Sequence, residues 1–374
     1  PPASGHINPV TGVVNELIEK YDFDITFYSS DEFRPLIEKS GARFKRYEVD
    51  YISLAHSEEN EKNTMLNLIS KLLDFSDSVM PSLLNDVEKE KPDLIMYDFL
   101  SMHSRFLGDI LRKKYMKKEI KNMPKIIRLN PSFSMKPNIY PSKEDMVYFT
   151  RTNNIWFIFY LIYLIFVQIR FSWKYGLFVI NPVSYLFDPG NEKIEITFVF
   201  PDFQPRLEKF DRNHYKFVGS CIAENVRKFD ITDPKLKQYL EEFDPINPVD
   251  TVEDRSKSNK KLIYVSLGTV FNNNVFVFDQ IIQAVKIINS DNYRFIVSLG
   301  KITYEKFQNK IKNEGYFVPD NMCLLPSAPQ IDILKRASLF ITHAGQNSAS
   351  ETIHYGVPVI CIPLNADQPL VAKR

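Results

Sequence analysis

Residues Leu334–Gln368 read LKRASLFITHAGQNSASETIHYGVPVICIPLNADQ, and this stretch decides the fold class. Leu339–Thr342 is a short apolar run suited to a buried strand. The small residues Ala344-Gly345 interrupt it. Gln346–Tyr355 has helical length, and Gly356 stands just past its end, where a left-handed residue closes a helix. Pro358–Ile362 is a second apolar run. Strand, turn, helix and strand in that order make a parallel α/β unit.

The alternation extends upstream. Leu262–Ser266, Arg294–Ser298 and Met322–Leu325 read as strands. Phe276–Ile288, Tyr304–Asn313 and Ile331–Lys335 read as helices between them. Asp244–Lys261 (DPINPVDTVEDRSKSNKK) is polar and carries two prolines, so it reads as an interdomain linker. Before it lies a second α/β pattern. Ile25–Tyr28, Asp93–Tyr97, Lys125–Leu129 and Ile196–Phe200 read as strands, and Pro35–Ser40, Thr64–Leu84 and Arg105–Tyr115 as helices. A helix with Asn8 as its N-cap and Pro9 at its first position is expected to open the chain, an α/β pattern expected to lack its first strand.

Composition agrees with a globular protein of two or three domains. The chain has 374 residues, 44% hydrophobic and 25% charged. Its 47 basic and 46 acidic side chains leave a net charge of +1, which gives no basis for a nucleic-acid binder held by a basic field. Three cysteines (Cys221, Cys323, Cys361) lie too far apart in sequence for a metal-ligand spacing and read as reduced core thiols. The first residues carry no basic start and no apolar segment, so no signal peptide is expected and the location is expected to be cytoplasmic. Ile155–Val167 (IWFIFYLIYLIFV) is unbroken apolar sequence, yet shorter than the roughly 20 residues a membrane span needs. A core helix is the first reading of it, a helix lining an apolar groove the second and membrane contact the third.

Several polar residues sit where strands end, which is where open α/β sheets bind ligands. His6 stands before the first helix, at its positive dipole end, where a neutral imidazole can act as a base. Asp98 closes the strand DLIMY and could orient that imidazole or cap the next helix. In the second half, Ser266-Leu267-Gly268-Thr269 follows a strand, and His343 to Ser348 follows another and opens a helix. Backbone N–H groups, the helix dipole and small polar side chains there suit an anion. Glu351 is expected on the first turn of that helix, in reach of a ribose diol. Neither a dinucleotide fingerprint nor a P-loop occurs. Asp22-Phe23-Asp24 is formally a DxD, but it precedes a strand and reads as a solvated turn.

In these residues the sequence resembles the UDP-glycosyltransferases of the GT-B fold, the macrolide-type branch in particular. Ser4–Leu17 (SGHINPVTGVVNEL) resembles the N-terminal GHxNP segment, and Phe203–Ile222 the end of the first domain. LIYVSLGTVF with Ser327–Gln368 resembles the nucleotide-sugar signature. The resemblance is weakest at Pro141–Lys193, the variable acceptor region. It implies two Rossmann-like parallel-sheet domains facing a cleft: residues 1–222 for the acceptor, 223–261 as linker, and 262–374 for the nucleotide sugar. It also implies that the chain is a piece of a longer product, lacking the first strand and the C-terminal helices.

The resemblance assigns His6 as catalytic base with Asp98 as its partner. The donor side would comprise Ser266, Gly268, Thr269, Gln330, His343, Gly345, Asn347, Ser348, Glu351, Asp367 and Gln368. Among these, His343 would meet the phosphates, Gly345, Asn347 and Ser348 the α-phosphate, Gln330 the uracil, and Asp367 and Gln368 the sugar hydroxyls. Ser327 stands where the family often has an aromatic residue that stacks on uracil. No cofactor and no metal are implied, because a helix N-terminus with His343 can neutralise a leaving diphosphate. The expected activity is inverting transfer of a hexose, glucose favoured, from a UDP-sugar to a hydroxyl of a small apolar acceptor. A catalytically impaired nucleotide-sugar-binding fragment, a membrane-associated glycosyltransferase acting on lipid acceptors and a nucleotide-sugar epimerase remain as alternatives.

Overall fold

The structure is a computed structural model that describes residues 3–49, 64–136, 139–140, 165, 169, 172–177, 188, 190–243, 260–268, 274–364 and 367–374. It divides into two units, Pro1–Cys221 and Ile222–Arg374. The apolar run Ile155–Val167 lies outside the described residues except for Ile165. Among the described residues no helix is long and apolar enough to cross a membrane.

In the first unit, β1 (Thr26–Ser29) pairs in parallel with β2 (Arg43–Arg46). A four-stranded parallel sheet has the order β3 (Leu94–Asp98), β4 (Lys125–Asn130), β5 (Glu195–Thr197), β6 (Tyr215–Phe217). The sequence reading contained neither β2 nor β6. Both are short and carry lysine between aromatic or basic neighbours, so neither shows an apolar run.

Two apolar cores are built in this unit. In one, Leu72, Phe75, Val79 and Met80 of the helix Thr64–Glu90 meet Met102, Phe106 and Ile110 of the helix Met102–Met116. In the other, Ile7, Val10 and Val14 pack with Ile37, Leu129 and Phe198. Ile7 is 3% exposed, so it anchors the backbone next to His6.

The first helix begins earlier than its sequence suggests. It spans Ser4–Tyr21 with Ala3 as N-cap, so Pro9 lies inside it. The Ala3 carbonyl accepts from the N–H groups of His6 and Ile7, at 2.9 and 3.0 Å. A proline here removes one backbone donor, and its ring crowds the carbonyl four residues back, that of Gly5. His6 is therefore a first-turn helical residue rather than a loop residue.

The second unit holds a five-stranded parallel sheet of order β11 (Val359–Cys361), β10 (Leu339–Thr342), β7 (Lys261–Ser266), β8 (Tyr293–Ser298), β9 (Met322–Leu325). Helices cover both faces. Leu262 and Tyr264 of β7 point into a core with Leu236, Ile331, Leu334 and Phe340. The alternate residues Ile263 and Val265 point into another with Phe278, Ile282 and Phe307. The chain enters at the central strand β7, fills one side through β9, then crosses back to β10. The order reverses between β7 and β10, and ligands bind outside strand carboxyl ends at such a point.

Of the expected linker 223–261, residues 223–243 group with the second unit, as does Ile222, which was expected to end the first domain. Pro234–Glu242 is a helix whose N-cap, Asp233, accepts from the Leu236 N–H at 2.8 Å. Leu236, Tyr239 and Leu240 are buried against β7, an i, i+3, i+4 stripe that ties the segment to the second unit. Of the rest of the expected linker, residues 244–259 lie outside the described residues and Lys261 is the first residue of β7.

Candidate functional site

Asp98 is the last residue of β3, and His6 lies in the first turn of the helix Ser4–Tyr21. Nδ1 of His6 stands 2.7 Å from Oδ2 of Asp98. The other carboxylate oxygen accepts from the Leu100 N–H at 2.9 Å. One oxygen thus meets the imidazole, as one reading has it; the other closes a turn at Leu100, ahead of the helix Met102–Met116, whose N-cap is Ser101 and not Asp98. Burial raises the Asp98 carboxyl, but its neighbours, the facing His6 foremost and the N-terminal charge and the Leu100 N–H with it, outweigh burial and hold it below its ordinary value. A carboxylate on Nδ1 makes that nitrogen the donor and leaves the lone pair on Nε2. Phe99 stacks on the imidazole with ring centroids 5.8 Å apart.

Behind this pair sits an aromatic group that sequence reasoning missed. The Tyr47 hydroxyl lies 3.0 Å from Nε2 of His103, and Phe75 meets both rings edge-on. Burial pushes His103 down to about 3. His103 sits within an amphipathic helix, and nothing in its local sequence separates it from a solvated residue.

In the second unit, β7 ends at Ser266 and β10 at Thr342, so the loops that follow both strands lie at the reversal point. The His343 imidazole is wedged against Gly268 and Gly345. A Cβ on either glycine would crowd the same ring, and Gly268 has φ +81°. Burial pushes His343 down to about 4, so it is neutral near pH 7. Gly345 is the N-cap of the helix Gln346–Tyr355, which sets Asn347 and Ser348 in its first turn. Their N–H groups are among those a helix leaves without intrahelical partners.

Glu351 lies in the second turn, not the first, and is 1% exposed. Its carboxylate has protein partners already. Oε1 accepts from Arg227 Nη1 at 2.5 Å and from Asn347 Nδ2 at 2.8 Å. Oε2 accepts from Gln330 Nε2 at 2.6 Å. Gln330 also reaches Ser348 Oγ at 3.3 Å, and Tyr264 donates to its Oε1 at 3.4 Å. Arg227 carried no signal in the sequence, because it falls in the stretch that reads as linker.

The remaining expected positions vary. Ser327 is exposed. Gln368 is 3% exposed, and its Oε1 accepts from the Leu364 N–H at 2.7 Å, so that oxygen faces the backbone. Asp367 is the N-cap of the short helix Gln368–Ala372. Thr269 lies outside the described residues. The DxD segment is a helix end. Asp22 is its left-handed C-cap, and Asp24 pairs on the surface with Arg43 at 3.2 Å. Among the described residues no group of three or more His, Cys, Asp or Glu could hold a metal ion.

Residues 258–374 match the family model described as UDP-glucoronosyl and UDP-glucosyl transferase. The whole chain is 27% identical to the uncharacterized UDP-glucosyltransferase YojK of Bacillus subtilis and covers 80% of it. It is also 27% identical to the NDP-glycosyltransferase YjiC of Bacillus subtilis, again covering 80%. Among solved structures, the glycotransferase of kitacinnamycin matches 100% of this chain and 81% of its own, with a TM-score of 0.71 and 19% identity. The calicheamicin glycosyltransferase CalG4 matches 96% of this chain and 77% of its own, with a TM-score of 0.64 and 20% identity. The fold is the α/β fold of the GT-B glycosyltransferases.

Proposed function

We propose, from the premise that the chain belongs to the UDP-glycosyltransferase family, that it transfers a hexose, glucose favoured, from a UDP-sugar to a hydroxyl of a small apolar acceptor. The observation that carries the reading is the 2.7 Å approach of His6 Nδ1 to Asp98 Oδ2.

The acceptor hydroxyl loses its proton to Nε2 of His6, and Asp98 stabilises the imidazolium that results. The oxygen forms its bond to the anomeric carbon as the bond to the diphosphate oxygen breaks, with inversion. UDP departs as the anion. The helix dipole and free N–H groups at Gly345–Ser348 favour that charge. His343, neutral near pH 7, lies against Gly268 and Gly345 beside this site. In this reading the Gln330–Glu351 pair, joined by a 2.6 Å hydrogen bond, would meet the nucleoside. No step requires a metal.

The test is UDP release from UDP-glucose with a panel of phenolic and sterol-like acceptors, for the full-length protein and for His6→Ala. Acceptor-dependent release that His6→Ala loses is the expected result. Release that persists in His6→Ala overturns the assignment of the base, and no release with UDP-glucose or other UDP-hexoses overturns the activity.

A further inference from the structure

We propose that Arg227 is a positioning residue of the nucleotide site: it holds the Glu351 carboxylate in place and aimed, so that Glu351 can accept from a ribose diol. This rests on the reading of the second unit as the nucleotide-sugar site.

Glu351 is 1% exposed and Arg227 8%. A carboxylate so far from water is costly unless a cation and hydrogen-bond donors surround it. Arg227 supplies the cation, with Nη1 2.5 Å from Oε1. Its own place is fixed, since its N–H donates to the Ala223 carbonyl at 2.9 Å and the neighbouring Val226 is 2% exposed.

The same carboxylate organises two other residues of the site. Asn347 and Gln330 both donate their side-chain amides to it, at 2.8 and 2.6 Å. A carboxylate offers about four lone-pair positions. Arg227 and Asn347 occupy Oε1, and Gln330 takes one position on Oε2, which leaves a position on Oε2 for a ligand hydroxyl. Without Arg227, the buried Glu351 carboxylate loses its cation and one of its donors and turns toward water. That turn releases Asn347 and Gln330 and removes the acceptor. The guanidinium is suited to the task because it is always charged and planar.

The experiment is calorimetric titration of UDP and of 2′,3′-dideoxy-UDP against wild type, Arg227→Lys and Arg227→Met. Wild type is expected to bind UDP at least tenfold more tightly than the dideoxy nucleotide, a difference of about 1.4 kcal/mol. In Arg227→Met the ratio is expected to fall close to one, with Arg227→Lys between. A purely structural defect weakens both nucleotides together and keeps the ratio. A ratio unchanged in both variants therefore overturns the role of Arg227. A ratio of one in wild type overturns the nucleoside role of Glu351 itself. If Arg227→Met fails to fold, Arg227→Lys carries the test, and a wild-type ratio in it overturns the proposal.

Discussion

A Cβ on Gly268 would stand 2.6 Å from Nε2 of His343. The glycine after β7 and the histidine after β10 are 75 residues apart in sequence, yet they share one van der Waals surface at the point where the sheet order reverses. The φ of +81° at Gly268 adds a backbone requirement to the steric one.

That contact predicts the behaviour of Gly268→Ala. The left-handed backbone costs about 1–2 kcal/mol with a side chain present, and the methyl displaces the imidazole as well. UDP affinity should fall by about tenfold or more, read by calorimetry. Gly315→Ala is the control. Gly315 also has a left-handed φ, +64°, but a Cβ there meets nothing within 4 Å. It should lower the melting temperature and leave UDP affinity intact.

The His6–Asp98 pair predicts a split between turnover and donor binding. His6→Ala should lower kcat by about 10²–10⁴-fold, the usual worth of a general base, with UDP affinity unchanged. Asp98→Asn should also lower kcat, since an amide neither fixes the tautomer nor stabilises the imidazolium. Full activity in either variant would remove that residue from the chemistry.

Acid stability should follow the histidines. His343 is pushed down to about 4 by burial from an ordinary 6.5, and His103 to about 3. The unfolded chain therefore binds more protons than the native one below pH 6.5, and stability falls as pH drops through that window. For His343 the loss is complete near pH 4 and amounts to roughly 3 kcal/mol at 1.36 kcal/mol per unit. Asp98 acts in a lower range. Its lowered carboxyl stabilises the fold above its ordinary value near 3.8, and this contribution fades as pH falls below it. Denaturant melts at a series of pH values should show a smaller slope between pH 6.5 and 4 for His343→Asn than for wild type. An equal slope would show that the imidazole is not held neutral.

Ser327 is exposed, so a larger side chain there displaces no core atom. Aromatic stacking on a base is worth about 1–3 kcal/mol. Ser327→Trp should then tighten UDP binding by roughly tenfold. Equal or weaker binding would show that the uracil lies elsewhere or is already covered.

Much of the second unit was legible because parallel strands buried on both faces read as apolar runs, with glycine closing the helices between them. Met322–Leu325, Leu339–Thr342 and Gln346–Tyr355 fall where the sequence puts them. The strand Leu94–Asp98 was legible for the same reason, and it sets Asp98 at a strand end. The stripe Leu236, Tyr239, Leu240 was present as well, but the polar, proline-containing stretch after it drew the whole segment into a linker.

The sequence alone determined the α/β class, the strand–turn–helix placement of His343 to Ser348 and the candidacy of His6 and Asp98, because these depend on local spacing and on residue types with few uses. Tertiary structure decided the rest. That Ala3 rather than Asn8 caps the first helix depends on where the backbone folds onto Ile37 and Phe198. That Arg227 neutralises Glu351, 124 residues away, depends on a close approach that leaves no periodic trace. Periodicity records which face of an element is buried, but it does not record which charge meets which across a folded chain.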